Sequence, residues 1–187
     1  MKANTILALG LMLGGATLSS AQASQATAKK VALRSFAEAK RQEALVNKHL
    51  ATFDNLDFDV FSNQKWHLLK KSHAKNVVVH WPDGRITKGI DQHISDLKAL
   101  FVFAPDTRIK KHPIRIGQGE WTSVVGIYEG TFTKPMPIGG GKFIQPTGKK
   151  LKMLMSTVSH WNKAGQMDEE YLFWDNADFA KQFGLPK

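Results

Sequence analysis

The 187-residue sequence contains no cysteine. A disulfide framework, a thiol nucleophile and a thiolate metal site are therefore excluded, and so is a lipoprotein signal, whose acylated residue is a cysteine. The seven histidines form no HExxH or HxH motif and no pair at helical i, i+4 spacing, and there is no Gly-x-Ser-x-Gly or GxxxxGK[ST] motif. We expect no metal, no cofactor, no bound nucleotide and no hydrolytic triad.

Acidic residues are few relative to basic ones. The 26 Lys and Arg residues outnumber the 16 Asp and Glu residues, which gives a net charge of +10. The basic residues are spread along the chain without an arginine-rich run or a nucleic-acid-binding motif. We therefore expect a solvated basic surface and no nucleic-acid partner.

The first 23 residues have the three parts of a secretory signal peptide. Lys2 supplies the positive start, Ile6–Leu18 is an uncharged apolar run, and Ala21-Gln22-Ala23 is a small-x-small cleavage site. The pattern predicts cleavage between Ala23 and Ser24 and export to a periplasm or the exterior. An uncleaved anchor is the alternative, but the apolar run is shorter than the roughly 20 residues that span a bilayer.

The rest of the chain is interpreted as residues 24–30, a flexible lead-in, and residues 31–187, a single domain with an N-terminal helical extension. Hydrophobic periodicity predicts four helices. They cover Lys30 to Ala51, a segment that starts at Ser62 or Asn63 and carries Trp66 and Ala74 inward, Ile90 to Phe103, and Asp175 to Phe183.

The β-rich segments are arranged around these helices. Val77 to Trp81 is a strand that stops at the turn Pro82-Asp83-Gly84, and Arg85-Ile86-Thr87 is its hairpin partner. Residues 107–174 contain a further run of strands with a tight turn at Asn162 to Gly165. Helices grouped before a run of strands indicate an α+β fold.

Several short motifs follow one another along the chain in a distinctive order. They are His80-Trp81-Pro82-Asp83-Gly84, Gly89, Pro105-Asp106, Gly119-Glu120, Gly130-Thr131, Thr147-Gly148-Lys149, Gly165, Glu169, Tyr171, Asp175 and Gln182-Phe183-Gly184. Their joint order resembles the SnoaL-like polyketide cyclase family within the nuclear-transport-factor-two-like superfamily. The resemblance implies a strongly curved antiparallel sheet wrapped with about three to four helices into a cone-shaped α+β barrel around a cavity. It also implies chemistry without metal or cofactor, and a homodimer is compatible with it.

The resemblance implies that Asp175, at the end of the last strand, is a general acid/base, and we expect His80 to assist it. For both residues a structural role is the alternative. Asp175 stands where the last helix begins and is a candidate N-cap for Ala177 or Asp178. His80 is alternatively a half-exposed strand histidine.

The expected ligand-binding residues are Trp66, Glu169, Tyr171 and Phe173. Strand alternation from Met167 places the last three on one face, together with Asp175. The alternative for Glu169 is a salt bridge to a neighbouring strand. The loop from Pro135 to Pro146 is either a lid over a cavity or an ordinary hairpin loop.

Together these features predict an exported pocket protein that acts on a small, apolar, carbonyl-bearing molecule by cofactor-free general acid/base chemistry, in the manner of a cyclase or isomerase. The alternative is a non-catalytic module that binds a small molecule.

Overall fold

The computed structural model describes residues 14–186, so most of the predicted signal peptide, residues 1–13, lies outside the described residues. The chain divides into two compact units, Met1–Gln42 and Glu43–Lys187. Among the described helices, none has an apolar stretch long enough to cross a bilayer. The elements are α1 (Gly14–Asn55), a π-helix (Leu56–Phe61), a 3₁₀-helix (Trp66–Lys71), β1 (His73–His80), β2 (Ile86–Lys88), α2 (Ile90–Phe103), β3 (Arg108–Ile109), β4 (Ile114–Gln118), β5 (Trp121–Thr131), β6 (Met136–Pro137), β7 (Phe143–Ile144), β8 (Lys150–Trp161), β9 (Met167–Phe173) and α3 (Asn176–Phe183).

Helix α1 is 42 residues long and contains neither glycine nor proline after Gly15. Its many alanines are strong helix formers. Residues 24–30, the predicted flexible lead-in, are helical in the structure, and every side chain from Ser20 to Gln42 is exposed. The last turns of α1 belong to the second unit, where His49, Leu50 and Phe53 are buried.

The segment after α1 differs from the prediction of an α-helix starting at Ser62 or Asn63. Helix α1 instead continues into the π-helix, and a 3₁₀-helix follows. Ser62 is not an N-cap but the C-cap of the π-helix, and its hydroxyl accepts a hydrogen bond from the Ile109 backbone N–H at 2.9 Å. Gln64, with φ of 54°, breaks the helical path. Strand β1 therefore begins at His73, inside the predicted helix.

The main sheet has seven strands in the order β2-β1-β9-β8-β5-β3, and β4 also pairs with β5. All pairs are antiparallel except β1 with β9, which are parallel. The prediction of an α+β fold is confirmed, but the prediction of a purely antiparallel sheet is wrong. Strand β9 must run opposite to β8 because a tight turn joins them, and it enters the sheet beside β1 in the same direction as β1.

Strand β9 contains a β-bulge at Asp168. Trp161 pairs with Met167 and His160 pairs with Glu169, so Asp168 has no partner residue on β8. A bulge inserts one residue and inverts the alternation of faces beyond it. Met167 is buried, as expected, but so are Glu170 and Leu172, whereas Phe173 is 54% exposed. The predicted face of Glu169, Tyr171 and Phe173 is thus the outer face of the sheet.

Helices α2 and α3 follow their predictions closely. Helix α2 spans the predicted residues, and its buried stripe is His93, Leu97, Phe101 and Phe103. Helix α3 begins at Asn176, one residue later than predicted. Helix α2 brings its stripe to the inner face of β1 and β9, where the candidate site lies.

Candidate active site

The second unit contains a cavity between the π-helix, α2 and the inner face of the sheet. Its walls are mainly apolar and aromatic, and its polar side chains are Asp57, His73, His93, Tyr128, Thr157 and Glu170. The space open to the centres of water molecules is about 50 Å³, which is enough for about three or four waters. The apolar lining is formed by Leu56, Phe61, Trp81, Leu97, Leu100, Ile109, Met153, Met155, Leu172, Trp174 and Phe179.

Three of the polar side chains form a buried cluster. Glu170 Oε2 lies 3.3 Å from His93 Nε2 and 3.8 Å from His73 Nε2. One ligand-type atom of each residue lies within 4.8 Å of the others. The cluster joins three elements, because His73 is on β1, His93 is on α2 and Glu170 is on β9. A buried carboxylate is stable only when its charge is compensated, which the two imidazoles can do.

Burial has opposite consequences for these groups. Desolvation lowers the pKa of His93 to about 4, against the opposing effect of the Glu170 charge. Desolvation would raise the pKa of Glu170, but its interactions with His73 and His93 outweigh that effect, so that pKa is lowered. Near neutral pH the cluster therefore presents an ionised carboxylate and a neutral His93 imidazole.

A second polar group, Asp57, reaches the cavity from the π-helix. Its Oδ2 lies 2.8 Å from His112 Nε2, and the other ring nitrogen of His112, Nδ1, lies 2.7 Å from Asp54 Oδ1. Asp54 is also paired with Arg115 at the surface. Burial raises the pKa of Asp57, and this outweighs the effect of its hydrogen bond to His112. π-Helical segments often occur at functional sites.

The hydrogen-bonded series Asp54–His112–Asp57 holds a shared proton beside the cavity. A neutral imidazole carries one N–H and can donate to only one carboxylate. Hydrogen bonds to both aspartates therefore require a second proton, held by the imidazole or by one of the carboxylates. The His112 side chain is only 1% exposed, so this shared proton is shielded from solvent.

An outer groove adjoins the cavity. Both are lined by Trp81, Leu100 and Trp174, which therefore stand between them. The space in the groove that is open to the centres of water molecules is about 390 Å³, and its lining also includes Arg85 and Met136. Met136 belongs to the two-stranded hairpin of β6 and β7, which occupies the segment from Pro135 to Pro146 that was expected to be a loop.

Asp175 is the N-cap of α3. Its Oδ1 accepts hydrogen bonds from the backbone N–H groups of Ala177 at 2.8 Å and Asp178 at 3.0 Å. The residue is exposed and does not line the cavity. The geometry matches the structural alternative considered for this residue.

His80 and three of the expected ligand-binding residues lie on the outer face. His80 Nε2 is 3.0 Å from Glu169 Oε1, Tyr171 donates to the same oxygen at 2.7 Å, and the two rings stack with centroids 4.1 Å apart. Phe173 is exposed beside them. The structure thus brings His80, Glu169 and Tyr171 together, but away from the cavity and from Asp175.

Trp66, the fourth expected ligand-binding residue, packs edge-on against Phe61 and Phe101. It is partly buried and does not line the cavity. Trp81 and Trp174 are the tryptophans that do.

Four polar residues of the cavity were not predicted from the sequence: His73, His93, Glu170 and Asp57. One of them carried a local signal: His93 precedes Leu97 by four residues and so belongs to the apolar stripe of α2. The other three depend on the early start of β1, the bulge in β9 and the π-helix, none of which has a signature in periodicity.

Comparisons with known proteins agree with this fold. The family model for the SnoaL-like polyketide cyclases matches residues 54–183. No curated protein matches significantly.

Three solved structures are similar. A protein assigned as a SnoaL-like polyketide cyclase from Jannaschia sp. CCS1 is 17% identical, with a TM-score of 0.65 over 75% of this chain and 94% of that chain. The proposed polyketide cyclase IdmH from Streptomyces antibioticus is 19% identical, with a TM-score of 0.61 over 73% of this chain and 98% of that chain. A proposed polyketide cyclase from Xanthomonas campestris is 12% identical, with a TM-score of 0.60 over 77% of this chain and 97% of that chain.

Proposed function

Because the chain belongs to the SnoaL-like polyketide cyclase family, we propose that its cavity performs general acid/base chemistry on a small, apolar, carbonyl-bearing molecule. Asp57, polarised by His112, is the acid/base in this proposal. The cluster of His73, His93 and Glu170 receives the polar end of the molecule. The family name supports a carbonyl substrate, and the mainly apolar walls support an apolar one.

The observation that carries the proposal is the Asp54–His112–Asp57 chain. It places a desolvated carboxylate on the wall of the cavity and couples it to a second proton carrier. Burial raises the pKa of Asp57, and a raised pKa makes a carboxylate a stronger base for proton abstraction. Abstraction of a proton from the carbon next to a carbonyl, followed by its return, is the reaction class that such a group serves.

The size of the cavity determines how the substrate binds. A volume of about 50 Å³ is far below the roughly 300 Å³ or more of ordinary ligand sites. The reacting carbonyl end therefore enters the cavity, while the rest of the molecule occupies the outer groove beyond Trp81 and Trp174. The β6–β7 hairpin borders that groove through Met136 and Pro137 and forms part of its wall.

Export and the cone-shaped wrap of the sheet are further parts of the proposal. Export is supported by the signal-like pattern of residues 1–23. N-terminal sequencing of the protein recovered from its host should then begin at Ser24, and recovery of chains that keep the apolar run would contradict export. The curved wrap is supported by the family membership.

Deuterium exchange tests the chemistry without knowledge of the natural substrate. A panel of small apolar 1,3-diketones and β-keto esters is incubated in D₂O with the protein, and exchange at the central carbon is followed by NMR. We expect catalysed exchange that Asp57→Asn lowers by about 100-fold or more, since a general base contributes roughly 10²–10⁴-fold.

Matched variants locate the activity. Asp175→Asn and His80→Gln should leave the exchange rate unchanged, because both residues lie outside the cavity. Binding of the probes, measured by quenching of tryptophan fluorescence, without any catalysed exchange would favour the non-catalytic binding module. Loss of exchange in Asp175→Asn with retention in Asp57→Asn would contradict the proposed site.

A further inference from the structure

The hydrogen bonds around His73 determine which of its ring nitrogens carries a proton. Ser72 Oγ donates to the Leu69 carbonyl at 3.0 Å, which leaves only its oxygen lone pairs for His73 Nδ1, also at 3.0 Å. His73 Nδ1–H is therefore the donor, and in the neutral ring Nε2 is an acceptor. Such a bond to the second nitrogen is how proteins orient metal-binding histidines.

Two of the three atoms that face one another in the cluster lack partners. Among the described residues, His73 Nε2 and Glu170 Oε2 are buried and make no hydrogen bond, and the third atom, His93 Nε2, lies 3.3 Å from Glu170 Oε2. The other ring nitrogen of His93, Nδ1, is also buried without a hydrogen bond. The side chains of His73, His93 and Glu170 are 1%, 3% and 6% exposed. A lone pair on His73 Nε2 and a carboxylate oxygen 3.8 Å away repel each other unless a cation lies between them, and unpaired buried polar atoms are costly.

We propose that His73, His93 and Glu170 bind one divalent transition-metal ion of the zinc class. Two imidazoles and one carboxylate suit zinc or another first-row transition ion, whereas calcium and magnesium prefer oxygen ligands alone.

The spacing of the cluster agrees with this assignment. Bonds of about 2.0–2.1 Å at tetrahedral angles put ligand atoms about 3.4 Å apart. The separations from Glu170 Oε2, 3.3 Å and 3.8 Å, are close to that value. All three ligand atoms lie within 4.8 Å of one another, so binding requires the ligands to move closer together around the ion.

The cavity leaves a coordination position open. Three protein ligands and a space for a few waters are the arrangement of catalytic metal sites, in which the fourth position holds water or substrate. Asp57 lines the same cavity. An ion in the cluster would bind the carbonyl oxygen of a molecule that faces Asp57. It would thereby fix the position of the polar end of the proposed substrate.

This inference does not depend on the proposed function, because metal binding is measured without substrate. The full chain is stripped with EDTA, dialysed and titrated with Zn²⁺ by isothermal calorimetry, and bound zinc is counted after gel filtration. We expect one equivalent with a Kd of about 1 µM or lower. Glu170→Gln should weaken binding by about 100-fold or more, and Ser72→Ala by about 10–100-fold.

The outer face provides a matched control. Glu169 follows the same strand and contacts His80 at 3.0 Å, so Glu169→Gln and His80→Gln remove the same chemical groups from an equally close pair. Both variants should bind zinc as the wild type does. Two results would overturn the proposal. One is that the wild type binds no zinc at a Zn²⁺ concentration about 100 times the expected Kd. The other is that zinc binding is lost in Glu169→Gln and kept in Glu170→Gln.

Cobalt substitution keeps the test decisive if Glu170→Gln does not fold. Co²⁺ bound to the wild type should show visible absorption bands of a four- or five-coordinate nitrogen and oxygen site. It should also broaden NMR signals near Glu170 on the inner face more strongly than those of His80. Broadening centred on the outer pair, or the weak absorption of hydrated Co²⁺ alone, would count against the assignment.

Discussion

Asp175 satisfies two backbone N–H groups at the start of α3, so its expected contribution is to stability. Asp175→Ala should lower the free energy of unfolding by about 1 kcal/mol, because Ala cannot accept these bonds. Asp175→Asn should be nearly neutral, since Asn caps helices as well as Asp does. Urea denaturation followed by circular dichroism measures both. Equal losses for Ala and Asn would show that the charge, and not the cap, is what matters.

The candidate site residues differ in how far sequence can predict them. His93 was accessible in principle, because it occupies the buried stripe of a helix whose bounds were predicted correctly. Glu170 was not, because the alternation of faces was carried from Met167 through an undetected bulge. Asp57 and His112 are 55 positions apart in the chain, and only tertiary structure brings them together. His80 and Glu169 were correctly grouped, but on the wrong side of the sheet.

The bulge in β9 determines which acidic side chain enters the cavity. Deletion of Asp168 would make Met167 and Glu169 consecutive, as their partners Trp161 and His160 already are, so the strand would pair regularly while Glu170 and Leu172 still face inward. We expect this deletion to preserve cooperative unfolding, since core and surface residues keep their places. Thermal denaturation followed by near-UV circular dichroism measures it.

Asp168→Ala separates the bulge from the side chain. Asp168 pairs with His160 at 2.6 Å on the surface, and this pair raises the pKa of His160. Loss of such an exposed pair should cost less than about 1 kcal/mol. Deletion of Gly140, in the β6–β7 hairpin turn, should also be tolerated. Loss of cooperative unfolding on deletion of Asp168, with both controls mild, would contradict the assignment of Asp168 as the extra residue of the bulge.

The elements themselves were largely predictable where their signals are local. Helix α2 follows from its apolar spacing, and α3 from the Asp175 cap and Gly184, whose φ of 68° ends the helix. The parallel pairing of β1 with β9 was not predictable, since these strands are separated by most of the chain and no local pattern records their contact. The family resemblance, which is confirmed, supplied the fold class that periodicity alone left coarse.

The division of the chain into two units predicts that the second unit folds without the first. A chain of residues 43–187 should keep its melting temperature within about 3 °C, because side chains from Ser20 to Gln42 are exposed and a change of 1 kcal/mol corresponds to about 2–4 °C at this size. Differential scanning calorimetry measures the shift.

A longer truncation is the control. A chain of residues 56–187 also loses His49, Leu50 and Phe53, which are buried. Loss of several buried side chains should cost well over 3 kcal/mol. Equal stability of the two truncated chains would mean that the end of α1 does not belong to the second unit.

The insertion of β9 between β1 and β8 also orders events in time. Glu170 is the last of the candidate site residues to be synthesised, and its strand must enter the middle of the sheet before it can approach His73. Contacts between distant segments form slowly. A chain that ends before Glu170 therefore cannot bind an ion in the cluster of His73, His93 and Glu170. If the protein leaves the cytoplasm unfolded, as export would require, any ion in the cluster is drawn from the compartment in which the protein finally folds.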